Sequence, residues 1–274
     1  MSRRLMIVLV VGLAALVATG GALAAALHTQ TASAGGVSAS FSYRGELPAV
    51  TGARLKIVKA GRNAYDAPVT SRACGTMCGP LQVGAHATSV GIVPLVPGSP
   101  EVVLELYTGG ANCCVVDQIF RYDPSTMTYV KIEHNFASAG ALLKRLNGRW
   151  RFLSADDGFK YAFTDGADSG EPIQIWRYGV GRFIDVTRSY PGLIRADAAR
   201  WFQLFNHHVD NGLGLIAAWA GDEELLGHDA LVQSTLKREL ARGRLRVGPG
   251  HLFAGGAKFI RELNHVLQQL GYRR

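Results

Sequence analysis

Five carboxylates stand close together in the middle of the chain and form its densest group of side chains capable of chemistry. They fall within sixteen residues, in two Asp/Gly-rich segments. Calcium takes six to eight oxygen ligands, so loops that bring such groups together predict a calcium site. The alternatives are solvated acids that form turns by accepting backbone N–H bonds, and a catalytic acid/base pair. The five residues are Asp156, Asp157, Asp165, Asp168 and Glu171.

Four cysteines form two close pairs, Cys74 with Cys78 and Cys113 with the adjacent Cys114. An even number of cysteines outside the cytosol predicts disulfides. We expect cross-links between the two segments, because adjacent cysteines that bond each other close a strained eight-membered ring. Four thiolates holding zinc are the alternative, although neither spacing is typical of zinc ligands. The neighbouring loop at Asn112, together with the acidic segment, is a candidate ligand-binding or calcium loop.

The histidines and serines of the chain follow no catalytic pattern. His207 and His208 would point about 100° apart on a helix, so we interpret them as residues favoured by the helix C-terminus rather than metal ligands. The sequence contains no G-x-S-x-G or H-E-x-x-H pattern. The remaining hydrolase hypothesis pairs Asp156 or Asp157 with His134 or His207. The sequence therefore assigns no catalytic residue, identifies no metal ligand and leaves enzymatic activity open.

The composition and the N-terminal pattern indicate an exported globular protein. The chain has 274 residues, 48% hydrophobic and 18% charged, which excludes disordered, collagen-like and coiled-coil classes. Residues 1–34 carry Arg3 and Arg4, an apolar run over residues 5–27 and a small-x-small site at residues 32–34. This order is typical of a cleaved export signal. The apolar run is also long enough to span a bilayer, so an uncleaved membrane anchor is the alternative.

The charge balance bears on possible partners. The chain has a formal net charge of +8, and without residues 1–34 it keeps 27 basic against 21 acidic residues, a net charge of +6. The basic residues are spread along the chain with no block interleaved with aromatics, so we expect no nucleic-acid partner. A weak attraction to anionic envelope surfaces is the expected consequence. We expect membrane contact only through residues 5–27, if the signal stays uncleaved.

The apolar spacing changes once along the mature chain. Over residues 35–190, short stretches of alternating apolar and polar residues are separated every 8 to 12 residues by turn signals, including Asn147-Gly148. One predicted strand covers residues 159–165. After residue 191 the apolar residues recur at helical spacing, which predicts four helices. The fold class is therefore α+β, with an antiparallel β-rich region of propeller-blade-like hairpins over 35–190 and a C-terminal helical bundle over 191–274.

Four segments between about residues 92 and 191 resemble a known repeat. They are PGSPEVVLELYTGGANCC, IFRYDPSTMTYVKI, LNGRWRFLSADDGFKYAFTDGADSGEPIQIWRY and GRFIDVTRSYP. Together they resemble a degenerate FG-GAP or VCBS-type repeat of exported bacterial proteins. The resemblance implies β-propeller blades with a short Asp/Gly-rich calcium loop. Where the family has D-x-D-G-D-G, this chain has only Asn147-Gly148 at one position and residues 98–101 at the other, so the implied calcium loop lacks its usual ligands.

These observations favour an exported, non-enzymatic binding or structural module, secreted or associated with the bacterial cell envelope. Its partner would be an envelope protein or polymer, contacted through the loops at Asn112 and at residues 156–171. One alternative is a secreted hydrolase that uses acidic residues of the 156–171 loop. Another is a structural protein tethered to the membrane by residues 5–27.

Overall fold

The computed structural model contains thirteen strands in three antiparallel sheets and four helices within the residues that it describes. The strands come first and the helices last, which confirms the predicted α+β class and its order. Residues 1–24, most of the predicted export signal, lie outside the described part. The structure describes residues 25–74, 78–81, 88–98, 100–110, 113–179, 181–207, 212–248 and 252–273.

The first sheet is a four-stranded meander with one apolar face. Strand β2 shows why: Val37, Ala39, Phe41 and Tyr43 are buried and alternate with half-exposed serines. Successive side chains of a strand point to opposite faces, so this alternation buries one face and leaves the other to solvent. The strand order β1-β2-β3-β4 follows the chain. Its strands are β1 (Leu27–Ala34), β2 (Val37–Arg44), β3 (Thr51–Lys59) and β4 (Arg62–Pro68).

Strand β1 lies inside the segment that the sequence pattern assigns to an export signal. All eight of its residues are in register with β2. The side-chain oxygen of Gln30 in β1 also accepts a 2.6 Å hydrogen bond from the backbone N–H of Ser89, beside the second sheet. The folded β-rich region therefore begins at Leu27 rather than at residue 35, and cleavage after Ala34 would remove a paired edge strand.

The second sheet is central because both of its faces are buried. Val102 and Leu104 pack against the first sheet, whereas Val103 and Ile119 pack against the third. The strand order is β5-β7-β8-β9, and β6 also pairs with β7. The strands are β5 (Gly79–Pro80), β6 (Val90–Val93), β7 (Glu101–Gly110), β8 (Cys113–Asp123) and β9 (Thr128–Asn135).

The third sheet is another meander, and its inner face carries Leu143, Phe152 and Tyr178 against the second sheet. Asn147 and Gly148 both have positive φ and connect two strands through a two-residue turn, as the sequence predicts. The strands are β10 (Leu142–Leu146), β11 (Arg149–Ala155), β12 (Ile173–Gly179) and β13 (Arg182–Asp185).

The four predicted helices are confirmed after residue 191. Helix α2 is buried on nearly every side and forms the centre of the bundle. Gly214 and Gly221 let the 156–172 segment approach it closely, since a Cβ at either position would lie 2.6 Å from that segment. None of the described helices combines the length and apolar character needed to cross a bilayer. The helices are α1 (Pro191–His207), α2 (Leu213–Leu225), α3 (Asp229–Ala241) and α4 (Gly256–Gln269).

The strand predicted over residues 159–165 does not form. Phe159 and Phe163 both insert into the helical core, four residues apart, whereas Tyr161 between them is 49% exposed. A strand would place all three rings on one face. The φ of Tyr161 is +59°, in the left-handed region, and the segment instead forms turns that connect the third sheet to the bundle.

We expect a chain that begins at Ala25 to fold, and a chain that begins at Gly35 to lose about 1–3 kcal/mol of unfolding free energy because it lacks β1. Urea denaturation followed by circular dichroism measures the difference. A Gln30→Ala variant of the longer chain isolates the bond to Ser89, for which we expect about 1 kcal/mol. Equal unfolding free energies for the two chains would contradict the contribution of β1.

Candidate functional site

The first two acids of the predicted loop hold neighbouring segments in place. Asp156 accepts hydrogen bonds from the Gly158 N–H (2.9 Å) and from the Tyr272 hydroxyl (2.8 Å), so it caps a 3-10 turn and ties that turn to the C-terminal residues. Asp157 accepts from the backbone N–H (3.2 Å) and the hydroxyl of Ser138, just after β9. Both carboxylates therefore connect parts of the chain that are distant in sequence.

Asp165 and Glu171 of the same segment also serve local structure. Asp165 accepts from the backbone N–H groups of Ala167 (3.0 Å) and Asp168 (3.1 Å), which is an Asx turn. Glu171 forms an ion pair with Lys160 at 3.5 Å. Burial raises the pKa of the Glu171 carboxyl, while the Lys160 charge acts in the opposite direction. This geometry favours turn formation over a shared ligand site.

The remaining predicted site residues do not add ligands to this segment. Asn112 and His208 lie outside the described residues, and His207 is the last residue of α1. In the part of the chain that the structure describes, no three His, Cys, Asp or Glu side chains are placed to hold a metal ion. Calcium binding by the loops therefore stays a prediction.

The histidine of the hydrolase hypothesis is enclosed by rings. The centroids of Phe136, Trp176 and Phe183 lie 4.4, 4.6 and 4.8 Å from that of His134. Burial lowers the pKa of His134, which favours the neutral ring at pH 7. No hydrogen bond from this ring to a described carboxylate is present, so the structure does not assemble the acid–histidine pair.

The disulfides form within each cysteine pair, and the expected cross-links between the two segments are wrong. Cys74 bonds Cys78 with a Cα–Cα distance of 5.2 Å, and Cys113 bonds Cys114. The second pair begins β8, where the Thr108 hydroxyl donates to the Cys113 carbonyl (2.8 Å) and accepts from the Cys114 N–H (2.6 Å). The β7–β8 hairpin therefore fixes this pair at its own end of the sheet.

Sequence reasoning missed a row of titratable side chains across the second sheet. Glu105 in β7 lies opposite Asp117 in β8, which lies opposite His134 in β9. Both carboxyls are buried, and neither oxygen of Asp117 has a hydrogen-bond partner among the described residues. Burial raises the pKa of Glu105 to about 7. Burial and the neighbouring Glu105 charge raise the pKa of Asp117 well above its ordinary value.

A groove of about 600 Å³ opens where two strands of the third sheet separate. Strands β11 and β12 pair from Ala155 opposite Ile173 to Phe152 opposite Trp176, and the described pairing between them ends there. Both strands continue beyond that point, and residues 149–151 and 177–178 are among those that line the groove. Residues of the turn before β7 and of the β10–β11 hairpin complete the lining, among them Pro94, Leu95, Val96, Pro97, Gly98, Arg145 and Gly148.

Two of the groove arginines are oriented by aromatic residues. The Nε of Arg151 donates to the Tyr190 hydroxyl (2.7 Å), and its Nη1 donates to the Trp150 carbonyl (2.6 Å). The guanidinium of Arg145 lies 5.1 Å from the centroid of the Trp150 ring, which is a cation–π contact. These contacts leave most of the guanidinium donors of the two residues without a partner among the described residues.

Arg149 and Arg177 complete the set of four lining arginines. Arg177 folds over Gly179, where a Cβ would lie 2.8 Å from its Nη1, so the missing side chain makes room for the guanidinium. None of the four lining arginines forms an ion pair with a carboxylate that the structure describes. Arginine stays protonated throughout the physiological pH range, so these four lining residues carry positive charges that no described ion pair neutralises.

One acid lies behind the wall of the groove and supports it. Glu101 is fully buried and accepts a 2.9 Å hydrogen bond from the backbone N–H of Leu95. Burial raises the pKa of Glu101, opposed by backbone hydrogen bonds and the Arg121 charge. The indole N–H of Trp150 is buried and has no acceptor among the described residues. The groove therefore offers donors and positive charge to a ligand that brings acceptors and negative charge.

The arginine groove gives no clear signal in the sequence. Its four arginines are separated by up to 32 positions and belong to three strands. Scattered arginines on a basic chain normally indicate a solvated surface, and only strand pairing in the folded chain brings these four residues to one groove.

Comparisons with known proteins give one partial similarity. No family model matches the chain, and no solved structure matches it. The chain is similar to a probable thylakoid lumen protein of Synechocystis sp., with 30% identity over 91 residues. The match covers 32% of this chain and 27% of that protein, so it extends over about a quarter of the relative's length.

We expect the free energy of unfolding to fall by about 3 kcal/mol between pH 4.5 and 7 because of Glu105. Its pKa rises from 4.5 in the ordinary state to about 7 in the folded protein. The folded state therefore holds the proton more tightly, and the stabilisation is complete below pH 4.5 and lost by about pH 7. Urea denaturation across this range should show a flatter profile for Glu105→Gln.

The control for this experiment is Glu46→Gln, which changes an exposed carboxylate. The lowered pKa of His134 acts with the opposite sign, because the free energy of unfolding increases as the pH rises towards the pKa that His134 has in the unfolded chain. This contribution is the same in all variants. Parallel profiles of unfolding free energy against pH for Glu105→Gln and the unmodified protein would contradict the raised pKa of Glu105.

We expect calcium to leave the melting temperature unchanged, because the acids of the 156–171 segment already bond protein groups. In the same assay Asp157→Ala should lose about 1–3 kcal/mol, since it deprives the Ser138 N–H and hydroxyl of their acceptor. Differential scanning calorimetry measures both. A rise in melting temperature with calcium but not magnesium, removed by Asp165→Ala, would instead establish the predicted calcium loop.

Proposed function

We propose that this chain is an exported, non-enzymatic module that binds a negatively charged ligand in the arginine groove. One observation carries the proposal. Four arginines from three neighbouring strands are among the residues that line a single groove, and no described carboxylate is paired with any of them.

Such an arrangement is suited to recognising oxyanions. Arginine presents its donors in a planar fork that matches carboxylate and phosphate geometry, and these charge-assisted bonds are stronger than neutral ones. Like charges held in one groove repel each other, so an anionic ligand gains from all of them together. The volume of about 600 Å³ is within the usual range for small-ligand pockets.

Export is the second part of the proposal, and three observations support it. Residues 1–34 have the basic, apolar and small-residue order of an export signal. The two disulfides suit an oxidising compartment. The partial relative is named as a probable thylakoid lumen protein. We place the chain at the cell envelope or outside the cell, with an envelope protein or polymer as its partner.

The FG-GAP or VCBS resemblance fits the same proposal as an architectural relationship. The first and third sheets are four-stranded antiparallel meanders in chain order, and they lie on opposite faces of the second sheet. No specific observation favours the hydrolase alternative. Asp156 and Asp157 accept hydrogen bonds from Tyr272 and Ser138, and His134 is enclosed by aromatic rings. A binding role needs only the groove.

We expect the double variant Arg149→Ala/Arg177→Ala to bind citrate at least about tenfold more weakly, because it removes two charge-assisted hydrogen-bond donors. Isothermal titration calorimetry at constant ionic strength measures the affinity. Arg62→Ala/Arg195→Ala is the matched control, since it removes the same charge at two exposed positions.

Unchanged binding by the groove variant would show that the groove is not the site. The same conclusion would follow if citrate, inorganic phosphate and polygalacturonate all failed to bind the unmodified protein.

A further inference from the structure

The outer face of the third sheet, which points away from the second sheet, concentrates positive charge. Leu143, Phe152 and Tyr178 mark the inner face, because they pack against the second sheet. Neighbouring residues of a strand point to opposite faces, whereas residues opposite each other on paired strands share a face. The pairing of β10 with β11 and of β12 with β13 therefore places five basic residues on the outer face. They are Lys144, Arg149, Arg151, Arg177 and Arg182.

No acid accompanies these five cations on the outer face. The one acid within β10 to β13 is Asp185, which lies opposite Trp176 and accepts hydrogen bonds from Thr187. None of the five cations forms an ion pair with a carboxylate in the part of the chain that the structure describes. Lys144 lies directly opposite Arg151, and like charges in such a cross-strand pair destabilise a sheet. The folded chain therefore contains a repulsion that a negatively charged partner would relieve.

The cations are accessible, and one of them is held in place over the sheet. Arg177 lies over Gly179, because a Cβ at that glycine would be 2.8 Å from the Nη1 of Arg177. Gly179 is opposite Arg182 on the next strand, so the charges of Arg177 and Arg182 belong to the same end of the sheet. The fully exposed members of the set are Lys144, Arg149 and Arg182.

Apolar side chains share this face with the cations. Leu142 and Leu146 flank Lys144 along the outer side of β10, and Leu142 is 42% exposed. Ile184 lies opposite Arg177 in the β12–β13 pair. Aromatic rings, which are typical of surfaces that dock on a bilayer, are absent from the outer positions of these four strands. All five rings of the strands belong to the inner face: Trp150, Phe152, Trp176, Tyr178 and Phe183.

We infer that the outer face of the third sheet binds an acidic polysaccharide, a linear chain of sugars that carry carboxylates. Side chains that share a face are about 7 Å apart along one strand and about 5 Å apart on paired strands, so the cations form an array that matches closely spaced anions. Guanidinium groups fit the geometry of carboxylates. The C–H groups of the sugar rings would contact Leu142 and the other apolar residues of the face.

This inference goes beyond the proposed function because it concerns a second surface. Lys144 and Arg182 belong to the outer face and are not among the residues that line the groove. Variants of these two residues therefore test the outer face without changing the lining of the groove.

The test titrates polygalacturonate into the full chain at two ionic strengths, with affinity measured by calorimetry. We expect Lys144→Ala/Arg182→Ala to bind polygalacturonate at least about tenfold more weakly and with a smaller dependence on salt, because fewer counterions are released from the polyanion. The affinity for citrate should stay unchanged. Lys56→Ala/Arg62→Ala is the matched control, since it removes the same two residue types from exposed positions of the first sheet. An unchanged melting temperature confirms that each variant is folded.

Three further ligands identify the kind of partner. Fully methyl-esterified polygalacturonate keeps the sugar chain and removes its charge, and we expect it not to bind. Inorganic polyphosphate keeps negative charge without apolar groups, and we expect it to bind more weakly than polygalacturonate at equal charge. Vesicles that contain phosphatidylglycerol present the same sign of charge on a bilayer, and we expect no binding that depends on Lys144 and Arg182.

The outcomes separate this inference from the proposed function. If polygalacturonate fails to bind, or if the two double variants weaken it equally, the inference is overturned, and binding of citrate in the groove would still support the proposed function. If polygalacturonate binds through Lys144 and Arg182 and citrate does not bind, the inference stands without the groove. Polyphosphate that binds as tightly as polygalacturonate would overturn the assignment to a polysaccharide. Vesicle binding that Lys144→Ala/Arg182→Ala abolishes would overturn it in favour of a membrane surface.

Discussion

Burial of both faces of the second sheet is the constraint on which the rest of the structure depends. The first sheet covers one face and the third sheet covers the other, so alternate residues of β7 and β8 enter two different cores. Apolar side chains such as Leu104 and Ile119 satisfy this condition directly. Glu105 and Asp117 are polar and are buried in the same sheet. The pKa of each carboxyl is raised because it is removed from water and has no cationic partner.

The position of the third sheet follows from the same stacking, and it decides where ligands can reach the molecule. Its inner face packs against the second sheet through Phe152 and Trp176, where β11 and β12 are still paired. Beyond these residues no further pairing between the two strands is described, and residues of both strands line the open groove. The 156–172 segment packs against helix α2 of the bundle, beside Gly214 and Gly221.

The two kinds of charge in the molecule consequently have different roles. The acids of the 156–171 segment make hydrogen bonds and an ion pair that join distant parts of the chain, as Asp156 does with Tyr272. The groove arginines have no described carboxylate partner, and the acid behind their wall, Glu101, is directed at the Leu95 amide. Negative charge in the 156–171 segment therefore holds the fold, whereas the groove arginines form no ion pair with a described carboxylate.

The sequence by itself determined the features that depend on local spacing: strands before helices, the Asn147-Gly148 turn and the four C-terminal helices. Predictions from local spacing were wrong where contacts between distant residues outweigh it. Phe159 and Phe163 pack into the helical core instead of forming a strand, and residues 27–34 pair with β2. Only the tertiary structure decided the cysteine pairing, the Glu105–Asp117 row and the arginine groove. The cysteines pair locally, Cys74 with Cys78 and Cys113 with Cys114. The Glu105–Asp117 row and the lining of the groove bring together residues of neighbouring strands, whose register comes from packing between sheets and is not encoded in the spacing along one strand.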